Sequence, residues 1–201
     1  MMATLDFWFD FASTYSYLTA ARIDPLAAGH GVAVRWRPFL LGPIFASQGW
    51  STSPFNIYEV KGRYMVRDIE RIAAARGLTF ALPKPFPQRS LLAARVALAI
   101  PDMGLRAEFS RAIMHAQFAD GLQIDAPGTI AEGLSAAGLE AGPILAEAGS
   151  EAIKLQLRRE TEQARAIGIF GAPAFVTQDG EMFWGDDRLE QALDWAQRPA
   201  A

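Results

Sequence analysis

The chain lacks cysteine altogether and has only two histidines among its 201 residues. Disulfide bonds, thiolate metal ligands and cysteine nucleophiles are therefore excluded, and any thiol chemistry must use a thiol that a ligand supplies. The two histidines, His30 and His115, are far apart in the sequence and have no thiolates to accompany them, which makes a zinc site a poor prospect. We expect no bound metal.

Further absences narrow the class of protein. No apolar run approaches the roughly 18 residues of a membrane-spanning helix, so we expect no membrane segment. The N-terminus lacks a basic segment followed by an apolar one, which leaves a cytoplasmic location as the expectation. The 19 basic and 22 acidic residues are interspersed, without the basic stripe that nucleic-acid binding requires.

Local patterns near the N-terminus predict a strand, a helix and a second strand. Bulky apolar residues alternate with smaller or charged ones at residues 4–10 and 32–37. A looser helical pattern, interrupted by Pro25, joins them at residues 13–28. The stretch at residues 39–50 is rich in Gly, Pro and small residues and predicts a loop.

The C-terminal end carries a second strand pattern. Residues 174–177 and 181–184 predict a hairpin that leads into a last helix, while the middle of the chain has helical periodicity. Neither end can form a complete sheet alone, but together they supply four strands. We therefore predict an α/β fold in which residues 1–44 and 166–201 form one sheet domain and residues 45–165 form a large, all-helical insertion.

Ser13 lies at the predicted junction of the first strand and the first helix. Serine is a favoured helix N-cap, so capping alone can explain its presence there. Ser16 follows three residues later, and we expect its side chain to point inward as part of the helix packing.

Several short motifs, taken in order, point to a family. They are Phe9-Asp10-Phe11-Ala12-Ser13 with Ser16-Tyr17-Leu18, Arg37-Pro38-Phe39-Leu40-Leu41-Gly42, Lys61-Gly62-Arg63-Tyr64-Met65, Gly171-Ala172-Pro173-Ala174-Phe175 and Trp184-Gly185-Asp186-Asp187-Arg188-Leu189. The order of elements resembles the thioredoxin fold, whose Cys-x-x-Cys motif corresponds here to Ser13-Thr14-Tyr15-Ser16. The motifs most closely resemble the 2-hydroxychromene-2-carboxylate isomerase family, in the branch that includes DsbA-type proteins and kappa-class glutathione transferases.

The resemblance implies a thioredoxin-like βαβ…ββα domain with a helical insertion, a homodimer, and glutathione as the cofactor. It places the glutathione-activating serine of the family at Ser13. It further implies that Pro173 is cis and faces the helix start, and that the backbone of Ala172 pairs with the cysteinyl unit of glutathione. The residues that it implies for the γ-glutamyl end are Trp184, Gly185, Asp186 and Asp187.

Physical chemistry agrees with the role that the resemblance gives to Ser13. A free thiol with a pKa near 8.5 is only about 3% thiolate at pH 7. A hydrogen bond to a charged acceptor is worth roughly 1.5–3 kcal/mol, which lowers the pKa of a bound thiol by roughly one to two units. Structural alternatives stay open for the other positions. Pro173 can be an ordinary trans proline, since only about 5–6% of X–Pro bonds are cis, and Asp186 or Asp187 can cap the last helix.

The second substrate that the resemblance implies is a small aromatic carboxylate lying between this site and the helical insertion. The aromatic candidates for an apolar slot, each of which can equally belong to the core, are Phe39, Phe45, Trp50, Phe55 and Phe86. The candidate cations are Lys61 and Arg63, whereas Lys84 is more typical of a solvated surface. The family often has a lysine at the position of Ala46, so the group that anchors the substrate carboxylate is not identified.

The activity implied is a glutathione-dependent cis–trans isomerisation in aromatic-hydrocarbon catabolism, in which a thiolate adds reversibly to a conjugated aromatic 2-oxo or hydroxy acid. A kappa-class-like glutathione transferase or peroxidase would share every site residue. A non-catalytic thioredoxin-like binding module is the third alternative. A disulfide oxidoreductase is excluded because both redox positions, Ser13 and Ser16, are serine.

Overall fold

A four-stranded sheet lies at the centre of the protein in the computed structural model, which describes residues 2–50 and 54–198. Its strands are β1 (Ala3–Phe9), β2 (Val32–Pro38), β3 (Ala174–Thr177) and β4 (Met182–Trp184). They are arranged in the order β2-β1-β3-β4, with β1 parallel to β2 and antiparallel to β3. The two ends of the chain therefore share one sheet, which confirms the predicted thioredoxin-like fold.

Helices make up most of the remaining chain. In order they are α1 (Thr14–Ala20), α2 (Ile23–Gly29), α3 (Leu41–Ser47), α4 (Pro54–Ile57), α5 (Glu59–Ala75), α6 (Leu91–Ala99), α7 (Met103–Phe118), α8 (Pro127–Ala136), α9 (Ala141–Ala148), α10 (Glu151–Ala166) and α11 (Leu189–Ala196), the last preceded by a short 3-10 turn at Asp186–Arg188. None of the helices in the described ranges is long and apolar enough to cross a membrane.

Strand β1 is buried because neighbouring strands flank it and helices cover both of its faces. Its alternating side chains separate into two apolar clusters, as strand geometry requires. Phe7 and Phe9 pack with α1 and α11 in the larger cluster, whereas Trp8 points to the opposite face and packs with Ile44 of α3 and Ala164 of α10. Helices α1 and α11 therefore cover one face of the sheet, and α3 and α10 cover the other.

Two details of the predicted elements were wrong. The helical pattern at residues 13–28 forms two helices, α1 and α2, and Pro25 lies within the first turn of α2, where a missing backbone N–H costs little. Residues 39–50, predicted as a loop, contain α3. This helix is short and has weak periodicity, but it buries Ile44 against the sheet, and that tertiary contact stabilises it.

The sheet and the helical middle of the chain share a continuous core. Phe11, in the turn after β1, packs edge-on against Phe109 of α7 with ring centroids 6.2 Å apart. The larger apolar cluster extends from β1 through α6 and α7 to α8. The division of the chain at residues 45 and 165 therefore stays a prediction.

Candidate active site

Ser13 forms the start of α1. Its backbone is extended, with φ −90° and ψ 116°, and its hydroxyl oxygen accepts a hydrogen bond from the Ser16 amide at 3.1 Å. The predicted N-cap is thus confirmed. Ser16 is wholly buried, and its own hydroxyl has no hydrogen-bond partner within the described residues, which confirms its inward orientation.

The Ser13 hydroxyl also reaches a distant part of the chain. It donates a hydrogen bond to the Ala172 carbonyl oxygen at 2.9 Å. The Ala172–Pro173 peptide bond is cis, as the resemblance implied, and the paired part of β3 begins only at Ala174. The structure therefore brings Ser13, Ala172 and Pro173 together, with one hydroxyl group between the helix start and the cis-proline loop.

Asp10 is a buried carboxylate beside Ser13 that the sequence analysis did not assign to the site. One of its carboxylate oxygens accepts from the Ala12 amide at 2.9 Å and the other from the Leu41 amide at 2.7 Å. Its backbone carbonyl accepts from the Ser13 amide at 2.9 Å. Burial raises the pKa of Asp10, although hydrogen bonds from Leu41, Ala12 and the Ser90 side chain act in the opposite direction. Asp10 thus joins the Ser13 turn to the starts of α3 and α6.

A signal for Asp10 was present in the sequence. The residue lies between Phe9 and Phe11, and both of these phenylalanines are wholly buried. An acidic residue between two core aromatics must itself be close to the core, where it requires hydrogen-bond donors.

Asp186, predicted to contact the γ-glutamyl end of glutathione, is buried among partners from its own chain. One carboxylate oxygen accepts from the Thr19 hydroxyl at 3.0 Å and from Arg22 at 3.2 Å. The other accepts from Arg76 at 2.7 Å. These bonds join the turn before α11 to α1 and to the end of α5, so the contacts of Asp186 indicate a structural role.

Asp187, the next residue, is exposed to solvent instead of buried. Its side chain is 74% exposed, and among the described residues it forms an ion pair only with Arg188, at 3.0 Å. Gly185 permits this placement because a Cβ atom there would lie 2.6 Å from a carboxylate oxygen of Asp187, and because its φ of +106° disfavours other residues. Neither aspartate caps α11 or the turn before it. Asp187 is therefore the member of the pair that can meet a ligand.

Trp184 presents an aromatic surface next to the cis-proline loop. Its side chain is half exposed and packs against the exposed ring of Phe170, with centroids 4.9 Å apart. Gly171 lies under the indole ring, and a Cβ atom at that position would overlap the indole nitrogen. The glycine therefore lets the Trp184 ring approach closely the loop that leads to Pro173.

The aromatic candidates for the substrate slot are in different environments. Phe39 is wholly buried against Trp8, so the core alternative applies to it. Phe45 is half-buried beside Trp50, with ring centroids 5.6 Å apart, and Phe86 is half-buried near Phe118. The side chain of Phe55 lies outside the described part of the chain.

The candidate cations lie on the surface. Lys61 and Arg63 are exposed on α5, and Arg63 forms an ion pair with Glu59 one helical turn away. Lys84 is also exposed. Within the described ranges, no hydrogen bond or ion pair joins these cations to Ser13 or to the cis-proline loop, so their substrate contacts stay predictions.

Comparison with known proteins agrees with the resemblance inferred from the motifs. A 2-hydroxychromene-2-carboxylate isomerase from Sphingobium xenophagum is 29% identical over 191 residues, which cover 94% of this chain and 96% of the relative. The glutathione S-transferase kappa 2 of Caenorhabditis elegans is 27% identical, with coverage of 96% and 91%. A solved structure of a 2-hydroxychromene-2-carboxylate isomerase superposes with a TM-score of 0.84 at 24% identity, over 96% of this chain and 93% of that one.

The family assignment rests on nearly the whole length of the chain. The model of the DsbA-like thioredoxin domain matches residues 4–195, a range that includes the four strands apart from the first residue of β1, and both the Ser13 turn and the cis-proline loop. The chain therefore belongs to the DsbA-like thioredoxin domain family.

Proposed function

We propose that the protein is a glutathione-dependent cis–trans isomerase of the 2-hydroxychromene-2-carboxylate isomerase type, acting on a conjugated aromatic 2-oxo or hydroxy acid. The observation that carries the proposal is the Ser13 hydroxyl, which accepts from the Ser16 amide and donates to the Ala172 carbonyl beside cis Pro173. The similarity to proteins named as isomerases of this type supports it.

The hydrogen bonds of Ser13 fit a thiol ligand. The Ser16 amide fixes the hydroxyl oxygen, so the hydroxyl proton can turn from the Ala172 carbonyl to a sulfur atom without losing the cap. Ser13 then donates to a charged acceptor in place of a neutral one, and charge-assisted hydrogen bonds are roughly twice as strong. The exchange favours the thiolate over the thiol.

Ala172 gains a role from the same exchange. Once the Ser13 proton turns away, the Ala172 carbonyl can accept from a peptide N–H of the ligand. Since the pairing of β3 starts at Ala174, the backbone of Ala172 lies outside that pairing and can pair with an extended peptide. Glutathione is a tripeptide and offers such a group next to its thiol.

Asp186 and Asp187 have different roles at the other end of the site. Asp186 fixes the turn before α11 through Arg22, Arg76 and Thr19. Asp187 keeps an exposed carboxylate that can pair with the ammonium group of a γ-glutamyl unit, next to the exposed ring of Trp184.

Bound glutathione supplies a thiolate that adds to a conjugated carbon and leaves again, so that a double bond is isomerised without net oxidation. Ser13 holds the sulfur, and the cis-proline loop orients the peptide. The Tyr15 hydroxyl donates a hydrogen bond to the Asp68 carboxylate at 3.0 Å. Burial and this carboxylate raise the pKa of the phenol, so Tyr15 stays protonated. The Tyr15 phenol is therefore neutral and does not act as a base.

A glutathione transferase of the kappa class is the second candidate, and the 27% identity to such a protein over 96% of this chain favours it. Product analysis separates the two functions. An isomerase returns glutathione unconsumed, a transferase yields a stable thioether, and a peroxidase yields oxidised glutathione.

Two measurements test the proposal. The first is the titration of the bound thiol, monitored through the ultraviolet absorbance of the thiolate, and the second is the pH profile of turnover. Ser13→Ala should raise the apparent pKa in the thiol titration and in the pH profile by roughly one to two units, because the thiolate loses its hydrogen-bond donor. Ser13→Gly serves as a second variant, since glycine at an N-cap costs only a few tenths of a kcal/mol.

Ser16→Ala is the matched control. It removes a neighbouring hydroxyl that is buried and unpartnered within the described residues, so both profiles should stay in place. The proposal is wrong if glutathione fails to bind at millimolar concentration, or if the Ser13 variants titrate like the wild type.

A further inference from the structure

A cleft lies between α3, α6 and α10. Its volume is about 580 Å³, which is within the range of roughly 300–1,000 Å³ that is usual for small-molecule sites. Leu40, Pro43 and Ile44 form one wall, Leu91 and Arg95 of α6 form a second, and one face of α10 forms the third. The cleft is distinct from the aromatic and cationic candidates that the sequence analysis named.

The cleft has a basic lining in an acidic protein. Its cations are Arg95, Lys154, Arg158 and Arg165, against the two acids Glu151 and Glu162. Lys154 pairs with Glu151 at 2.7 Å. The guanidinium groups of the three arginines form no hydrogen bond or ion pair with any residue in the described part of the chain, so they are available to an anion.

Arg95 carries the clearest indication of a ligand. Its Nε atom has no contact with solvent and no hydrogen-bond partner among the described residues. A buried donor without an acceptor is unfavourable, and a turn of the side chain towards an acceptor in the cleft would remove that cost. A carboxylate suits the planar fork of an arginine because it can accept two parallel hydrogen bonds.

The rest of the lining suits a flat apolar body. Leu91 and Leu155 are each 43% exposed, although they are large apolar side chains, and both face the cleft. An aromatic ring between α6 and α10 would cover them. The cleft therefore combines an apolar slot with an unpaired cation, which are the two parts that an aromatic carboxylate requires.

The cleft lies at the same edge of the sheet as Ser13. Strands β1 and β2 are parallel, Ser13 follows the carboxyl end of β1, and Leu40 follows that of β2. Asp10 bridges the two regions, since it holds Ala12 through one carboxylate oxygen and Leu41 through the other. Ala172, the partner of Ser13, packs in the same apolar cluster as Leu41.

We propose that this cleft binds the second substrate as an aromatic carboxylate, with Arg95 holding the carboxylate and Arg158 supporting it from the rim. The link to the Ser13 thiol site rests on the proposed function, whereas the binding of the anion does not.

Calorimetric titration with 2-naphthoate tests the cleft directly. Arg95→Gln should weaken binding about tenfold or more, as expected for the loss of a charge-assisted bidentate contact. Arg158→Gln should weaken it by a smaller factor, and it changes an exposed side chain. Arg159→Gln, the adjacent arginine outside the cleft, is the matched control and should bind like the wild type.

The neutral 2-naphthamide should bind at least tenfold more weakly than 2-naphthoate to the wild type, since it offers no charge to Arg95. The inference is overturned if the wild type does not bind 2-naphthoate, or if Arg95→Gln and Arg158→Gln both bind it like the wild type. Glutathione titration of the same variants keeps the two proposals apart. If the wild type does not bind glutathione, the proposed function alone is contradicted. If Arg95→Gln keeps glutathione-dependent turnover with an unchanged KM for the aromatic substrate, the cleft proposal alone is contradicted.

Discussion

The turn around Asp186 and the cleft along α10 lie on opposite faces of the sheet, and their charges have contrasting surroundings. Asp186 is 3% exposed and is bonded to Thr19, Arg22 and Arg76. Arg95 and Arg158 border a cavity and lack such partners within the described residues. Paired, buried charges fix the positions of the elements that carry them, whereas unpaired charges beside a cavity remain available to a ligand.

The largest expected effect is on the paired side. Asp186→Asn should lower the free energy of unfolding by about 3 kcal/mol, at the lower end of the range for a broken buried ion pair, because Arg22 and Arg76 retain some access to water. Urea denaturation measures this loss. Asp187→Asn is the matched control and should change the value by less than about 0.5 kcal/mol, because its side chain is exposed. Equal effects of the two substitutions would remove the distinction between these neighbours.

Asp10 joins the Ser13 turn to α3, which borders the cleft, and its removal should have an intermediate, pH-dependent effect. Asp10→Asn leaves one of the amides of Ala12 and Leu41 without an acceptor, at a cost of about 1–3 kcal/mol. Because burial raises the pKa of Asp10 above the 3.8 of an ordinary aspartate, the folded protein keeps this proton to a higher pH than the unfolded chain does.

The stabilising contribution of that proton is complete below pH 3.8 and is lost as the pH rises through the raised pKa of the folded state. Asparagine has no proton to lose, so the deficit of the variant should shrink over the pH interval that begins near 3.8 and ends above the raised pKa of Asp10. Urea denaturation across this interval gives the difference directly. A deficit that grows with pH would show that Asp10 is favoured in its charged form.

The smallest expected effect is on the unpaired side. Arg158→Gln and Arg165→Gln should each change the free energy of unfolding by no more than about 0.5 kcal/mol, since neither side chain bonds to another described residue. The same urea experiment measures this change, alongside the binding titration of Arg158→Gln. A loss comparable to that of Asp186→Asn would mean that the cleft arginines serve the fold.

Local signals were sufficient for the strands and for the Ser13 cap. The alternation of apolar and polar residues identified β1 and β2 to within a residue or two, because successive side chains of a strand lie on opposite faces of the sheet. Ser13 caps a helix through the amide three residues ahead, a contact that depends only on local sequence.

Long-range contacts left no comparable signal. Asp186 is bonded to Arg22, which lies 164 positions earlier in the chain, and the cleft joins Arg95 to Arg158 across three intervening helices. Helix α3 was missed because one buried residue, Ile44, stabilises it through the sheet. Asp186 and Asp187 looked equivalent in the sequence, and only the folded chain separates the buried residue from the exposed one.

The hydrogen bond from Ser13 to the Ala172 carbonyl has a further consequence. A hydroxyl has one proton, so the carbonyl and any sulfur ligand must compete for it. A thiolate is a strong acceptor and can win this competition, whereas a thioether is a weak one and leaves the proton with the carbonyl. Ser13 would thus act as a charge filter, distinguishing glutathione from S-methylglutathione although the two differ by a single methyl group.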